Sequence, residues 1–379
     1  MSTGAVQHRV RAGARLGAGA AAPAAAIRIV GGGGWLDAGR PVSSSESISL
    51  ADDAAIVEYV PGDLTLTARA GATLASISKA TSAEGQWLAL DPFGAPTGTL
   101  GATIATGSSG PLAHAFGTPR DTVLGLEVVT GAGEIVRTGG RVVKNVAGFD
   151  LTRLFTGAWG TLAVITEATV RLRARPERDE TVGVALPAES ELDAWLARLR
   201  ALPFSPLALE MVNATLATAL GLEPRALLLA RLGGNEHSVR AQHQLLGAFG
   251  DSSAAPTRVW SALAAIEPAG AAVVRVSAPP SRLHALWARL AVGSDPTALA
   301  HATVGRGIVR CIRPSSNATP IAAWLDTISR TEGTHIFERL PASEWSRVPS
   351  RVIDPLSRAV RIAFDPAQIL NRGILGGHA

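Results

Sequence analysis

Four consecutive glycines stand directly behind a short β-branched run, in the segment IRIVGGGGWLDAG at 27–39. An ordered glycine costs roughly 0.5–1 kcal/mol relative to alanine, because it loses more conformational freedom on folding. Four in succession therefore need a geometric reason, which is a tight turn, a flexible linker or a backbone cradle for an anion. No helix begins here, since the DAGRPVSSS sequence that follows is typical of turns.

Two well-known phosphate-binding motifs do not fit this segment. A dinucleotide fingerprint needs GxGxxG opening a helix, but Leu36 and Asp37 occupy the positions of the third glycine. A GxxxxGK[ST] loop is excluded because no lysine follows. A strand, a glycine loop and a turn remain, and bare N–H groups in such a loop form a nest that suits a pyrophosphate. From this stretch alone, a simple turn or flexible loop remains the alternative.

Composition excludes several classes of protein. The 379 residues are 47% apolar, which is enough for two or three domains with cores, and no apolar run is long enough to span a membrane. The 35 lysines and arginines face 31 acids and form no basic run, so we expect no nucleic-acid partner. Cys311 is the single cysteine, and the eight histidines lack ligand spacing. We therefore expect no disulfide, no metal site, no iron–sulfur cluster held by this chain alone, and a cytoplasmic location.

Periodicity indicates two kinds of segment. The LTLTARA sequence at 64–70 alternates as a half-buried strand does, and TGAG at 130–133 predicts a hairpin turn. VITEATVRLRA at 164–174 predicts a further strand. After Arg175-Pro176 helical segments alternate with strand-like runs, which is typical of an α+β domain.

A second glycine-dense zone spans residues 94–118 and a third spans 139–170. Small residues at this density let a flat aromatic ligand approach the backbone. The alternative is a loop that packs against its own domain.

Five motifs occur in an order that resembles flavoproteins of the vanillyl-alcohol oxidase/PCMH type. Within that superfamily the chain is most similar to the smaller FAD-binding subunit of glycolate oxidases. The motifs are GGGGWLDAG, TLGATIATGSSGP, GTPRD, RVVKNVAGFDLTRL and GAWGTLAVITEATVRL.

The resemblance implies an α+β fold with a PCMH-type FAD-binding domain of two α/β subdomains. It implies an FAD domain at 25–175, an α+β cap at 176–350 and a C-terminal segment at 351–379 that returns to the FAD domain. The alanine-rich sequence at 1–24 itself predicts a loosely helical lead-in, with a signal peptide as the alternative.

The resemblance also implies the cofactor and its contacts. Amides of the first glycine loop would hold the FAD pyrophosphate, and Trp35 stands where some relatives carry a flavin-linking histidine, so the FAD is expected to be noncovalent. The residues implied to bind the cofactor are Gly31, Gly32, Gly33, Gly34, Trp35, Thr99, Leu100, Gly101, Ala102, Gly107, Gly110, Pro111, Asp121, Val164, Ile165 and Asn371.

Several of these residues have structural alternatives. Asp121 would equally cap a helix or pair with Arg120, Val164 and Ile165 are core strand residues first, and Lys144 with Asn145 favours a structural turn over direct chemistry. His114 is more often a hydrogen-bonded or solvated histidine than a point of flavin attachment.

The implied activity is hydride transfer from the α-carbon of a 2-hydroxy acid, such as glycolate, to flavin N5. No base or carboxylate clamp is assigned; Arg275, Arg306 and Arg310 are candidates only because they lie in cap strands. The HxGDGNxH-like stretch of the larger flavin subunit is absent. The alternative is a non-catalytic electron-relay or structural subunit. Implied partners are a larger flavin subunit and an iron–sulfur subunit, with peripheral association at the inner membrane face as the alternative location.

Overall fold

The computed structural model describes residues 1–17, 26–42, 44–140, 149–292, 295, 297–315, 320–351 and 354–376. The chain divides into two compact units. The first comprises Met1–Ser109, Gly117–Arg175 and Pro349–Ala379, and the second comprises Gly110–Phe116 and Pro176–Val348.

Helices and strands are interleaved along the chain in both units. The helices are α1 (Thr3–Gly17), α2 (Leu74–Ser82), α3 (Leu100–Thr106), α4 (Ala113–Phe116), α5 (Pro119–Thr122), α6 (Leu151–Phe155), α7 (Leu192–Arg200), α8 (Ala214–Ala219), α9 (Glu236–Gly247), α10 (Val259–Ala264), α11 (Leu283–Trp287), α12 (Ile321–Ser329) and α13 (Pro355–Phe364). The strands are β1 (Ile27–Val30), β2 (Glu46–Ser49), β3 (Ile56–Val60), β4 (Thr65–Arg69), β5 (Gln86–Trp87), β6 (Val123–Thr130), β7 (Ile135–Gly139), β8 (Ala163–Arg171), β9 (Arg173–Ala174), β10 (Arg178–Ala185), β11 (Ala208–Val212), β12 (Leu227–Gly234), β13 (Ser252–Ala255), β14 (Ala272–Ser277), β15 (Leu299–Thr303), β16 (Ile308–Arg313) and β17 (Thr334–Arg339). No helix among the described residues is long and apolar enough to cross a membrane.

The first unit is built on an antiparallel sheet with the strand order β3-β4-β8-β6-β7. β1 and β2 form a separate parallel pair. The predicted alternation holds in β4, where Leu66 and Ala68 are buried while Thr67 and Arg69 are partly exposed. The predicted hairpin is also confirmed, since β6 and β7 pair antiparallel around a turn in which Gly133 has a φ of +74°.

Helix α1 is part of the first unit's core. Val6 and Val10 are fully buried in it. The Thr3 hydroxyl donates to Glu127 at 2.6 Å, and the Gln7 amide donates to the Gly133 carbonyl at 2.9 Å. The segment predicted as a loosely helical lead-in is thus a packed helix over Thr3–Gly17, and residues 18–25 lie outside the described ranges.

The second unit contains an antiparallel sheet with the strand order β13-β10-β12-β11-β15-β16-β14-β17. Alternate residues of β11 point to opposite faces. Leu209 and Met211 pack with α7, α9, α11 and α12, whereas Ala208 and Val212 pack with α8 and α10. Helices therefore cover both faces, each against its own apolar core.

The C-terminal segment returns to the first unit, as the resemblance implied. Leu370 forms a parallel bridge with Ile27, at the start of β1. Asp365 stabilises the backbone at this bridge, because its carboxylate accepts the N–H groups of Ile369 at 3.1 Å and Leu370 at 2.9 Å. Burial raises the pKa of Asp365.

Asn371 fastens this segment in place with three hydrogen bonds. Its main-chain N–H donates to the Ile27 carbonyl at 2.9 Å. Its side-chain Oδ1 accepts the Ile29 N–H at 2.9 Å, and its Nδ2 donates to the Trp159 carbonyl at 2.8 Å. Asn371 has a φ of +41°, a left-handed conformation that asparagine tolerates better than most residues. One side chain thus joins β1, the tail and the loop before β8.

We expect Asn371→Gly to lower the free energy of unfolding by about 2–4 kcal/mol, because it leaves the Ile29 N–H and the Trp159 carbonyl without their partner. Glycine accepts the left-handed backbone, so strain does not contribute. Urea denaturation of the apoprotein measures the change. The control is Gln368→Gly, which has a φ of +51° in the same tail but does not join β1 to Trp159. Equal losses in both variants would contradict this role of Asn371.

Candidate functional site

A cleft lies within the first unit, where the glycine loop at 31–34 faces the segment 92–106. The cleft and its open mouth together contain about 1100 Å³ of unfilled space, at the upper end of what small-molecule and cofactor sites provide. Its lining is formed by residues 28–36, 92–95, 97–99, 101–103, 105–106 and 159–160, with Leu50, Ala70, Ala163, Ile165, Asn371 and Ile374.

The glycine loop follows β1 and carries unused hydrogen-bond donors. Within the described ranges, the N–H groups of Gly31, Gly32 and Gly33 donate to no protein acceptor. Gly33 has a φ of +86°, which turns the backbone in a way that an L-residue resists. Three successive unused amides in a turn form an anion-binding nest.

The two glycine-dense zones are in direct contact. A Cβ on Gly31 would collide with the Thr99 hydroxyl, and a Cβ on Gly32 would lie 3.1 Å from the Thr97 carbonyl oxygen. By contrast, a Cβ on Gly34 would meet nothing within 4 Å. Gly31 and Gly32 are therefore needed for close packing, whereas Gly34 faces open space.

Thr99 caps α3 at the floor of the cleft. Its hydroxyl accepts the Ala102 N–H at 3.4 Å, which is the usual role of threonine at this position. The N–H of Gly101 donates to the Ala70 carbonyl at 2.9 Å, and a Cβ on Gly101 would lie 2.7 Å from the Ala70 side chain. Gly101 thus serves the packing of α3 against Ala70, directly after the end of β4, and its amide is already occupied.

Aromatic side chains form another wall. Trp35 meets Trp159 edge to face, with ring centroids 5.9 Å apart. The Arg351 guanidinium lies over the Trp159 ring, 5.4 Å from its centroid. The main-chain N–H of Trp159 donates to the Ala105 carbonyl at 2.8 Å, which fixes the backbone beneath this ring.

The cleft brings together ten of the residues that the sequence implied. They are Gly31, Gly32, Gly33, Gly34, Trp35, Thr99, Gly101, Ala102, Ile165 and Asn371. Asn371 lines the cleft, but both ends of its side-chain amide are used within the protein.

The other implied residues have positions outside this lining. Leu100 is buried in α3, Gly107 ends that helix with a φ of +65°, and Val164 is a fully buried residue of β8. Gly110 and Pro111 belong to the second unit.

Asp121 lies in a helix cap, the structural alternative named for it. Its carboxylate accepts the Thr118 N–H at 2.9 Å and the Thr118 hydroxyl at 3.0 Å. Arg153, not Arg120, contacts the carboxylate, at 3.4 Å. The Arg120 guanidinium donates to the Thr156 carbonyl at 3.2 Å instead. Lys144 and Asn145 lie outside the described residues.

Some residues of the cleft were not predicted from the sequence. Pro92 and Phe93 directly precede the second glycine-dense zone at 94–118. Another is Arg28, which is the one ionisable side chain among the described lining residues. Its position two residues before the glycine loop was the available signal.

The fold and the cleft define a protein that holds an elongated, anionic and aromatic cofactor. The unused amides fit a diphosphate, and the glycine-lined and aromatic walls fit flat rings.

Comparison with known proteins identifies that cofactor. Residues 15–139 match a family model described as an FAD binding domain. The first unit therefore contains a PCMH-type FAD binding domain, and the resemblance stated from the motifs is confirmed.

Three relatives illustrate the similarity in sequence. The chain is 37% identical over 214 residues to the glycolate oxidase subunit GlcE of Escherichia coli (strain K12), covering 55% of this chain and 56% of that protein. It is 41% identical over 127 residues to the glycolate oxidase subunit GlcD of Bacillus subtilis (strain 168), covering 34% and 27%. It is 38% identical over 185 residues to a D-lactate dehydrogenase of Archaeoglobus fulgidus, covering 48% and 41%. The chain thus spans little more than half the length of the first relative and about a quarter of the second.

A solved structure of alkyldihydroxyacetonephosphate synthase matches the fold. The TM-score is 0.68 at 19% sequence identity, covering 97% of this chain and 74% of that one. At this identity the match establishes the α+β fold and carries no statement about activity.

We expect Gly31→Ala to weaken FAD binding by at least tenfold and to destabilise the apoprotein by about 1–3 kcal/mol, because the new methyl group displaces Thr99 from the cap of α3. Titration of apoprotein with FAD and thermal unfolding measure the two effects. Gly34→Ala is the matched control, since its methyl group meets no protein atom within 4 Å. Loss of stability in the Gly34 variant would contradict the packing described.

Proposed function

We propose that this chain is the FAD-carrying subunit of an oxidoreductase that acts on a 2-hydroxy acid such as glycolate. The observation that carries the proposal is the row of unused amides at Gly31, Gly32 and Gly33, which lies in a cleft lined by α3. The relatives support the substrate class, since their names refer to glycolate and D-lactate.

The residues of the cleft support noncovalent binding. Attachment of a flavin needs a nucleophilic side chain such as histidine or cysteine, and the described lining contains neither. Trp35 occupies the position beside the glycine loop. The loop amides would hold the diphosphate of FAD, and the apolar walls would exclude water from its rings.

Bound FAD supplies two-electron redox chemistry, accepting a hydride from the α-carbon of the substrate. The chain must then contribute a group that binds the substrate carboxylate and one that takes the hydroxyl proton. The arginines named from the sequence bear on the first of these.

Two of those arginines are held by glutamates of the second unit. Arg310 is buried, and its guanidinium donates to Glu338 at 2.8 and 2.9 Å and also to Glu267. The guanidinium of Arg275 lies 3.7 Å from the same Glu338. These neighbouring carboxylates raise the pKa of Arg310 and neutralise the charge that a substrate carboxylate would need.

Arg306 differs from both. It is exposed in the turn after β15, and no ion pair of the described residues includes it. It is therefore the strongest of the three candidates for the carboxylate clamp.

Because Arg275 and Arg310 are paired with glutamates, they favour a second candidate function. In it, this chain carries FAD as an electron relay or structural element. Catalysis would then occur in a larger flavin subunit, and an iron–sulfur subunit would pass the electrons on. The relatives named as glycolate oxidase subunits support an assembly of this kind.

The first experiment is the visible spectrum of the purified chain, before and after denaturation. We expect the blue-light absorbance of an oxidised flavin, and we expect the flavin to pass into the ultrafiltrate on denaturation. Colourless protein that also refuses added FAD would overturn the proposal, and flavin retained on the denatured chain would contradict noncovalent binding.

The second experiment mixes the FAD-loaded chain anaerobically with glycolate, D-lactate and L-lactate. Bleaching within seconds by one of them, slowed at least tenfold in Arg306→Gln, supports catalysis in this chain. Bleaching only after the larger flavin subunit is added supports the relay. The control is Arg258→Gln, another exposed arginine of the second unit.

A further inference from the structure

The cleft contains one fixed positive charge. Arg28 is the single ionisable residue among the described residues that line it. FAD carries two negative charges on its diphosphate, and the loop amides offer only partial charges. The charge on Arg28 is therefore the strongest electrostatic feature that the cleft presents to an anion.

The side chain of Arg28 ties the two ends of the glycine loop together. Its Nη2 donates to the Leu36 carbonyl at 3.1 Å and to the Trp35 carbonyl at 3.5 Å. Residues 28 and 35–36 flank the four glycines in the sequence, so the guanidinium lies across the base of the loop. These contacts hold the charge at the residues that follow the glycine loop.

The charge is not neutralised within the protein. Among the described residues no carboxylate lies within 4.0 Å of Arg28, and both of its hydrogen bonds go to neutral carbonyls. Both bonds use Nη2, which leaves the Nε and Nη1 donors for another acceptor. Burial lowers the pKa of Arg28, but an arginine so placed stays protonated throughout the physiological range.

Two other partly buried arginines of the described residues do have acid partners. Arg69 is paired with Asp53 and Glu167, and Arg231 with Asp179. A partly buried cation without an acid partner carries a desolvation cost that a bound anion would remove.

We propose that Arg28 binds the diphosphate of FAD and thereby makes cofactor affinity depend on charge as well as on the loop amides. This inference rests on the proposed function, because it takes FAD as the ligand. Arginine suits the role, since its planar donors match phosphate oxygens in a bidentate fashion.

The test compares FAD affinity in Arg28→Gln, Arg28→Lys and wild-type apoprotein. Loss of one charge-assisted contact is expected to weaken FAD binding by about 10- to 100-fold in Arg28→Gln. Arg28→Lys keeps the charge but loses the planar fork, so its affinity is expected to fall between the two. Quenching of flavin fluorescence on titration gives the dissociation constants.

The dependence of FAD affinity on ionic strength shows whether Arg28 acts through its charge or only by holding the glycine loop. The dissociation constant of the wild type is expected to rise with salt, and that of Arg28→Gln to rise less, so the ratio between them shrinks at high salt. A constant ratio at all salt concentrations would show that Arg28 acts only by holding the loop, and would overturn the proposal.

Competition by ADP and the reduction potential of bound flavin show whether Arg28 contacts the diphosphate or the flavin ring. ADP carries the diphosphate but no flavin, so as a competitor it is expected to weaken by the same factor as FAD in Arg28→Gln, with the reduction potential of bound flavin unchanged. Unchanged competition by ADP together with a lowered potential would place Arg28 at the flavin ring and overturn the assignment.

The matched control is Arg40→Gln. Arg40 lies in the same segment and burial also lowers its pKa, but it is not part of the lining of the cleft. We expect its FAD and ADP affinities to match the wild type. If wild-type protein binds neither ligand, the proposed function fails; if it binds both and Arg28→Gln binds equally well, only the role of Arg28 fails.

Discussion

The amide of Asn371 is the interaction on which the cofactor cleft depends. It joins β1 to the loop at Trp159, and both segments line the cleft. The contact between Asn371 and Ile29 spans 342 residues of sequence. A chain pays loop-closure entropy for such a contact, but the cost rises only slowly with loop length. The tail can therefore complete a domain that begins at the other end of the protein.

The glycine loop works because its neighbours are already fixed. β1 is held by β2 on one side and by the tail on the other, so the loop leaves a rigid strand. Gly31 and Gly32 then pack on the Thr97–Thr99 segment, and the N–H groups of Gly31, Gly32 and Gly33 have no protein acceptor among the described residues. Preorganised donors of this kind bind an anion without a cost of rearrangement at the moment of binding.

The sequence predicted local structure well and side-chain partners poorly. The alternation in β4 and the hairpin of β6 and β7 follow from neighbours a few residues apart, and both are confirmed. The partners of Asp121 and Arg310 depend on which strands and turns lie side by side, which periodicity does not encode. An aspartate within GTPRD looks the same whether it caps a helix or contacts a ligand. In the structure the carboxylate of this aspartate accepts the Thr118 N–H and so lies in a helix cap.

For the same reason, the sequence alone does not single out Arg28 as a ligand-binding residue. Composition gives 35 basic residues, and nothing local separates one arginine in a strand from the next. What distinguishes Arg28 is the nature of its partners, since carbonyls leave its charge intact whereas glutamates cancel that of Arg310. These two arginines thus differ in their partners. Buried carboxylates make Arg310 a structural element, whereas Arg28, which has no acid partner among the described residues, remains able to attract an anion. Whether an arginine binds a ligand is therefore decided by the acids around it, and these are known only once the fold is known.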